Sequence, residues 1–352
     1  MATTLTVMAL VSATSCGPQR LVPISGSDAS VLPSPEGGRT DGADVAAPPC
    51  QPPQLVGFAA KAPMTKGGVE GRTIVVRTYE DLVAAAALAE PLVIELGTLI
   101  SAPAGVSQIR VQSDKTIRGT SAGAGVTGVG FLLSNVSNVI IQNLILSKAE
   151  VDDSITVNAS HHVWIDHCDL SSDGSTDYDG LIDVVHGSDY VTISWCVLHD
   201  HRLASLVGHS ANPSDPLEDP NHLTVTYHHN WFRGTQFYNP KVRFGTVHVF
   251  NNHYDGAEVK GIVSQLGAQV LVEGNFFRNV KVPMTTVDDE SEGDPSKEGF
   301  ILERGNEYEG DFASVITKIG TWTPAPSDYV YSPDPAAGVP ASVAACAGPL
   351  FD

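Results

Sequence analysis

Positive charge is scarce in this chain. Its 352 residues carry 20 Lys and Arg against 40 Asp and Glu, a formal net charge of −20. That excess argues against nonspecific binding of DNA or RNA. It also disfavours any polyanionic ligand unless a local basic patch or a metal ion reverses the field. Aromatic residues are few, at 7%, whereas glycine is plentiful at 33, so tight turns are expected and long helices are not. Apolar runs are too short for a multi-span membrane protein, yet 42% apolar content supports a sizeable core and excludes wholesale disorder. H-E-x-x-H, G-x-S-x-G and a phosphate-binding glycine loop are all absent.

The first fifteen residues read as a targeting segment. A short, mostly apolar stretch from Thr3 to Ala13 leads into Thr14-Ser15-Cys16. It is too short to span a bilayer and has the form of a signal-peptide core. Small residues before a cysteine resemble a bacterial lipoprotein cleavage site with Cys16 as the lipidated residue. The expectation is therefore a secreted protein or an outer-surface lipoprotein of a bacterium, touching a membrane only through that anchor. Residues 17–54 hold eight prolines and five glycines with no apolar periodicity. Residues 16–54 are read as a flexible tether, and residues 55–352 as one folded domain. Cys50 and Cys346 flank that domain, and a bridge between them would tie its ends together.

A repeat runs through the middle of the chain. A six-residue template, apolar–x–apolar–x–x–(Asn or small/apolar), begins at Val139, Val163, Val191, Val225, Val247 and Val270, with weaker copies at Lys115 and Ile301. The clear copies are spaced by 24, 28, 34, 22 and 23 residues. Each reads as a short strand bounded by turn residues. The gaps show no 3.6-residue period, so alternating strand–helix units do not fit. Parallel strands stacked coil upon coil do: an all-β, right-handed parallel β-helix with equivalent residues about 4.8 Å apart. Asn230, Asn252, Asn275 and Asn306 would then form an amide ladder, with Phe232, Tyr254, Phe277 and Tyr308 stacked behind it. Cys168 and Cys196 share one template position, close enough for a disulfide or for two stacked buried thiols. The long gaps, 169–190 and 197–224, mark protruding loops, where function collects.

Carboxylates gather in those gaps. Asp177, Asp179 and Asp183 lie just before the Val191 strand, and Asp179 and Asp183, four apart on an extended strand, project side by side. One coil earlier come Asp152 and Asp153. Such a set is either a solvated acidic turn or a site for a hard cation, and oxygen donors without His or Cys suit Ca²⁺. The pairs His161-His162 and His228-His229 and the run His199-Asp200-His201-Arg202 read as structural histidines, because neighbours on a strand face opposite ways.

The runs VWIDHCDLSS (163–172), YDGLIDVVHGSDYVTISW (178–195), HDHRLASLVGHS (199–210), VTYHHNWF (225–232) and NPKVRFGTVHVFNN (239–252) resemble the extracellular pectate lyases, parallel β-helix polysaccharide lyases. The resemblance covers roughly residues 70–310. It implies Ca²⁺ held by Asp153, Asp179 and Asp183, and an acidic polysaccharide substrate, (1→4)-linked galacturonan, cleaved by β-elimination. A metal ion bridging aspartates to uronate carboxylates would answer the problem posed by the −20 charge. The further carboxylate that some members use falls at Val151, so the resemblance implies three carboxylates rather than four.

Departures from the family pattern are informative. The family's R-x-P-x-x-R motif appears here as Tyr238-Asn239-Pro240-Lys241-Val242-Arg243. Arg243 keeps the substrate clamp, and Tyr238 takes the place of the arginine base. A substrate-binding lysine falls at Leu203, next to Arg202. The expected set is Tyr238 and Arg243 for chemistry, with Arg202, Lys241 and Arg243 for substrate. The alternatives are a uronan-binding pseudoenzyme that kept the metal site, a lyase of shifted uronan specificity, and a glycoside hydrolase. A hydrolase would need two carboxylates flanking the bond. No nucleic-acid partner is expected, and a capped β-helix of this size is expected to be a monomer.

Overall fold

Each copy of the template forms a strand, and all of them lie side by side in one parallel sheet. In the computed structural model, described over residues 50–175, 178–210, 219–257, 259–288 and 291–351, this sheet has ten strands, and two others have nine and eight. One turn of the coil runs from His161–Asp166 in the ten-stranded sheet to Asp169–Ser171 in the nine-stranded sheet. It continues to Ile182–Val185 in the eight-stranded sheet and returns to Asp189–Ser194 beside its start. All strand pairs are parallel, with equivalent template residues in register, such as Val139, Val163, Val191 and Val225. The molecule is a right-handed parallel β-helix.

The core is a set of internal columns. Val139, Val163, Val191, Val225, Val247 and Val270 are all buried, as are Leu133, Val157, Val184, Val207 and Val242 behind the eight-stranded sheet. Burying each such side chain contributes about 1.5–3 kcal/mol. The corner after each long strand is a single left-handed residue: Asn143, His167, Trp195, His229 and Asn251 have φ of 49° to 56°. The next residue points inward and builds a ladder. Asn230 N–H donates to Asn252 Oδ1 at 2.9 Å, and Asn252 N–H donates to Asn275 Oδ1 at 2.9 Å. Behind the ladder Phe232, Tyr254, Phe277 and Tyr308 stack with centroid separations of 4.8, 4.5 and 5.3 Å.

Cys168 and Cys196 occupy the same ladder slots as the asparagines. They are separate buried thiols, and Cys168 N–H points at Cys196 Sγ at 3.4 Å. The sulfur serves as the acceptor that an amide oxygen supplies elsewhere, so of the two arrangements open from sequence the structure has stacked thiols. Cys50 and Cys346 are joined by a disulfide. Cys16 and Asp177 lie outside the described residues.

Helices are short. Tyr79–Ala86 is capped by Thr78, whose hydroxyl accepts from Asp81 N–H at 3.1 Å, and it buries Leu82 over the first coils. Val339–Cys346 packs near strand His253–Asp255. No helix among the described residues is long and apolar enough to cross a membrane. The ten-stranded sheet extends earlier than the copy at Lys115, through Arg72–Val76 and Leu92–Leu96. Arg72–Val76 opens on an arginine and is followed by Arg77, so it lacks the pattern, whereas Leu92–Leu96, followed by Gly97, satisfies it one coil before Lys115. The loops that position the site, 172–181, 200–204, 234–240 and 256–261, all leave the nine-stranded sheet along one edge and enter the eight-stranded sheet.

Candidate active site

Two loop starts place the acidic residues. Asp152 and Asp153 precede strand Ile155–Asn158, and Asp179, just before strand Ile182–Val185, joins them from the next coil. Carboxylate oxygens of Asp152, Asp153 and Asp179 lie within 4.8 Å of one another. Asp183 joins this group through Gly180. A Cβ at position 180 would stand 2.6 Å from Asp153 Oδ1 and 3.0 Å from Asp183 Oδ1, so only glycine lets both carboxylates approach.

Each buried acid is held by a few donors. Asp153 Oδ2 accepts from Thr156 Oγ1 at 2.8 Å, and its carbonyl accepts from Gln108 Nε2 at 2.8 Å. Asp183 Oδ1 accepts from Leu206 N–H at 3.1 Å. Asp153 Oδ1, however, is buried and has no hydrogen-bond partner among the described residues. The crowding is electrostatically costly. Burial, with the charges of Asp179 and Asp152, pushes the Asp153 carboxyl up to about 7 in spite of the Thr156 hydrogen bond. Burial and Asp153 raise Asp183 well above the ordinary carboxylate range. Burial and Asp152 raise Asp179, and Arg202 opposes that rise. An all-oxygen set with an orphaned buried oxygen at its centre fits a hard divalent cation of the calcium kind.

The sequence singled out Asp153, Asp179 and Asp183, whereas the tightest set includes Asp152. Alternation along a strand would send Asp152 and Asp153 to opposite faces. Asp152 has φ 67°, outside extended geometry, and this turn frees its carboxylate from that rule. The adjacent acidic pair was the available signal.

A second group lies farther along the same sheet. Asp183, Leu206 and Lys241 share one outward column, which puts Lys241 two coils, roughly 10 Å, from Asp183. Between Leu203 and Leu206 the chain advances three residues, and opposite them Phe237 to Lys241 takes four. The extra residue is a bulge. It holds Tyr238 in the left-handed region at φ 59°, with its carbonyl accepting from Ser205 N–H at 2.7 Å. The Lys241 ammonium lies 5.0 Å from the Tyr238 ring centroid and 2.9 Å from Asp288. Lys260 meets the same carboxylate. Burial raises Asp288, but the two lysines outweigh it and hold the carboxyl at about 2.

Lys241 is only 2% exposed and Arg243 6%, with Arg243 Nη1 donating to Gly208 O at 3.2 Å. Both were expected at the substrate surface, and both are packed beneath it. Arg202 faces Asp179, and its Nε is buried without a hydrogen bond among the described residues. Lys260 and Asp288 were not foreseen, because no short-range pattern links positions 241, 260 and 288. The histidines have local partners. His199 sits between Asp169 (3.0 Å) and Asp200 (2.8 Å), and His229 stacks on Trp195 at 4.2 Å.

Comparison with known proteins places this arrangement. A family profile described as pectate lyase matches residues 44–348. Pectate lyase plyB of Emericella nidulans is 43% identical over 229 residues, 64% of this chain and 68% of that one. Pectate lyase A of the same fungus is 38% identical over 278 residues, covering 78% and 80%. Among solved structures, a pectate lyase from Bacillus sp. N165 in complex with trigalacturonate has a TM-score of 0.75 at 29% identity, covering 84% of this chain and 98% of that one. The fungal relatives, which include further pectate lyases of Aspergillus niger and Aspergillus terreus, overturn the bacterial localisation read from Thr14-Ser15-Cys16. Three small residues carry far less information than an alignment of hundreds. Secretion itself stays compatible with these relatives. The profile match, the aligned relatives and the shared coil agree: the chain belongs to the pectate lyase family.

Proposed function

We propose that this protein is a calcium-dependent lyase that cleaves (1→4)-linked galacturonan by β-elimination. The observation that carries the reading is the orphaned, buried Asp153 Oδ1 amid Asp152, Asp179 and Asp183. Those four residues would hold the cation. Bound calcium would attract a uronate carboxylate and acidify the adjacent C5–H.

The chain's own residues do the rest. Asp179 and Arg202 stand on successive loops, close enough for the guanidinium to favour the Asp179 charge, and Arg202 would offer a cation to an incoming carboxylate. Tyr238, set apart from its strand by the bulge, is the base that takes the C5 proton. The electron pair of the C5–H bond becomes the C4=C5 double bond, the C4–O bond breaks, and the leaving sugar oxygen gains a proton from solvent. Arg243 sets the end of strand Lys241–Arg243 by its bond to Gly208.

Purified protein incubated with polygalacturonate and Ca²⁺ should generate the ultraviolet absorbance of an unsaturated uronide, and chelation should abolish it. Tyr238→Phe should remove turnover while leaving calcium binding intact. A second reading, a uronan binder without turnover, draws on the replacement of the family's arginine by Tyr238. It requires retention on a pectate gel with no absorbance change. Reducing ends without the chromophore would instead mark a hydrolase.

A further inference from the structure

Lys241 is nearly sealed off from solvent, at 2% exposed, beside Tyr238 in the buried strand Lys241–Arg243. A buried ammonium is costly unless paired. Its partner is Asp288, 2.9 Å away, and that carboxylate also receives Lys260, whose side chain is 19% exposed. One carboxylate therefore gathers two cations from successive coils. Asp288 is itself fixed: its N–H donates to Ser291 Oγ at 2.8 Å, and its carbonyl accepts from Ser291 N–H at 2.8 Å.

The gathered lysines embrace the Tyr238 bulge. Lys241 lies over the ring. The backbone of Lys260 is stitched to both sides of Tyr238, its N–H donating to Gln236 O at 3.2 Å and its carbonyl accepting from Asn239 Nδ2 at 2.9 Å. The Asp288 carboxylate draws the flexible stem of Lys241 inward over the ring rather than out toward water.

We propose that Asp288 is a positioning residue, which acts through Lys241 and Lys260 to hold Tyr238 in its reactive orientation. The proposal rests on Tyr238 as the proton acceptor. Because Lys241 is covered, the ion group shapes the reacting residue rather than binding sugar. Its loss therefore lowers kcat and spares KM.

The test is steady-state lyase kinetics of calcium-loaded Asp288→Asn, Asp288→Glu and Tyr238→Phe, each with a thermal melt. Asp288→Asn should lose about tenfold to a hundredfold in kcat with KM changed less than about threefold. Asp288→Glu should recover much of that loss. If Asp288→Asn melts like the parent and keeps its kcat while Tyr238→Phe is inactive, the positioning role is wrong and the Tyr238 assignment stands. A raised KM at unchanged kcat would also overturn the proposal, by making the lysines substrate ligands. Full activity in Tyr238→Phe overturns both readings. Should Asp288→Asn fold poorly, Asp288→Glu decides: native kcat supports the proposal, and a native melt with a lost kcat unresponsive to the restored charge refutes it.

Discussion

Replacing Gly180 by alanine separates the cation site from the fold with a single methyl group. The added Cβ would lie 2.6 Å from Asp153 Oδ1 and 3.0 Å from Asp183 Oδ1, both below ordinary contact. Neither acid is free to retreat, because Thr156 and Gln108 hold Asp153 and the Leu206 N–H holds Asp183. Overpacking of this kind costs about 1–3 kcal/mol. Here it falls on two carboxylates already crowded in the cation-free state, so most of it appears as displaced ligands. A tenfold to hundredfold loss of calcium affinity follows, about 1.4–2.8 kcal/mol. Calorimetric titration of calcium into wild type and Gly180→Ala measures it directly. The parallel core beneath is untouched, so the calcium-free melt should move by only a few degrees. Wild-type affinity in Gly180→Ala would refute the reasoning, because it would mean that the ion does not sit between Asp153 and Asp183.

Other consequences follow from the coil itself. Asn252, fully buried, accepts from the Asn230 backbone and donates to Tyr227 O and Asn275 Oδ1, so Asn252→Ala leaves several groups unpaired and should cost about 2–4 kcal/mol in denaturant unfolding. Glu273 is raised by burial but held at about 2 overall by hydrogen bonds from His248, Arg304 and Tyr331. A lowered carboxylate stabilises the fold above its unfolded value near 4.5 and loses that contribution as the pH falls toward 2. Glu273→Gln should therefore lower the melting temperature at pH 6 by the equivalent of up to about 3 kcal/mol and narrow the gap to wild type near pH 2. Cys168 and Cys196, both fully buried, should resist thiol reagents in the native protein and react on unfolding, read by peptide mass spectrometry.

The solenoid was legible because its signal is redundant. Six valines at one template position, with asparagine and an aromatic at fixed offsets in the later copies, specify stacked strands many times over. Arg72–Val76 escaped the template because Arg72 and Arg77 stand at its apolar and small positions, whereas Leu92–Leu96 with Gly97 satisfies it and extends the repeat one coil earlier. The acids were legible as types and spacing, Asp152 and Asp153 on one coil and Asp177, Asp179 and Asp183 on the next, and the trio Asp153, Asp179 and Asp183 was what the family resemblance implied. What spacing could not reveal was the left-handed turn at Asp152, which recruits a fourth carboxylate. Nor could it reveal the bulge that sets Tyr238 apart from the strand behind it. Lys241 and Arg243 looked like surface cations in a groove motif, but side-chain burial depends on the loops that fold over them. The Asp288 pairings join residues 47 and 28 positions apart, beyond any local pattern.

Diffraction from crystals grown with calcium, recorded at a wavelength where the ion scatters anomalously, tests the central claim most directly. One peak should appear, bounded by carboxylate oxygens of Asp152, Asp153, Asp179 and Asp183. A peak elsewhere on the coil, or none at a calcium concentration that supports turnover, would contradict it.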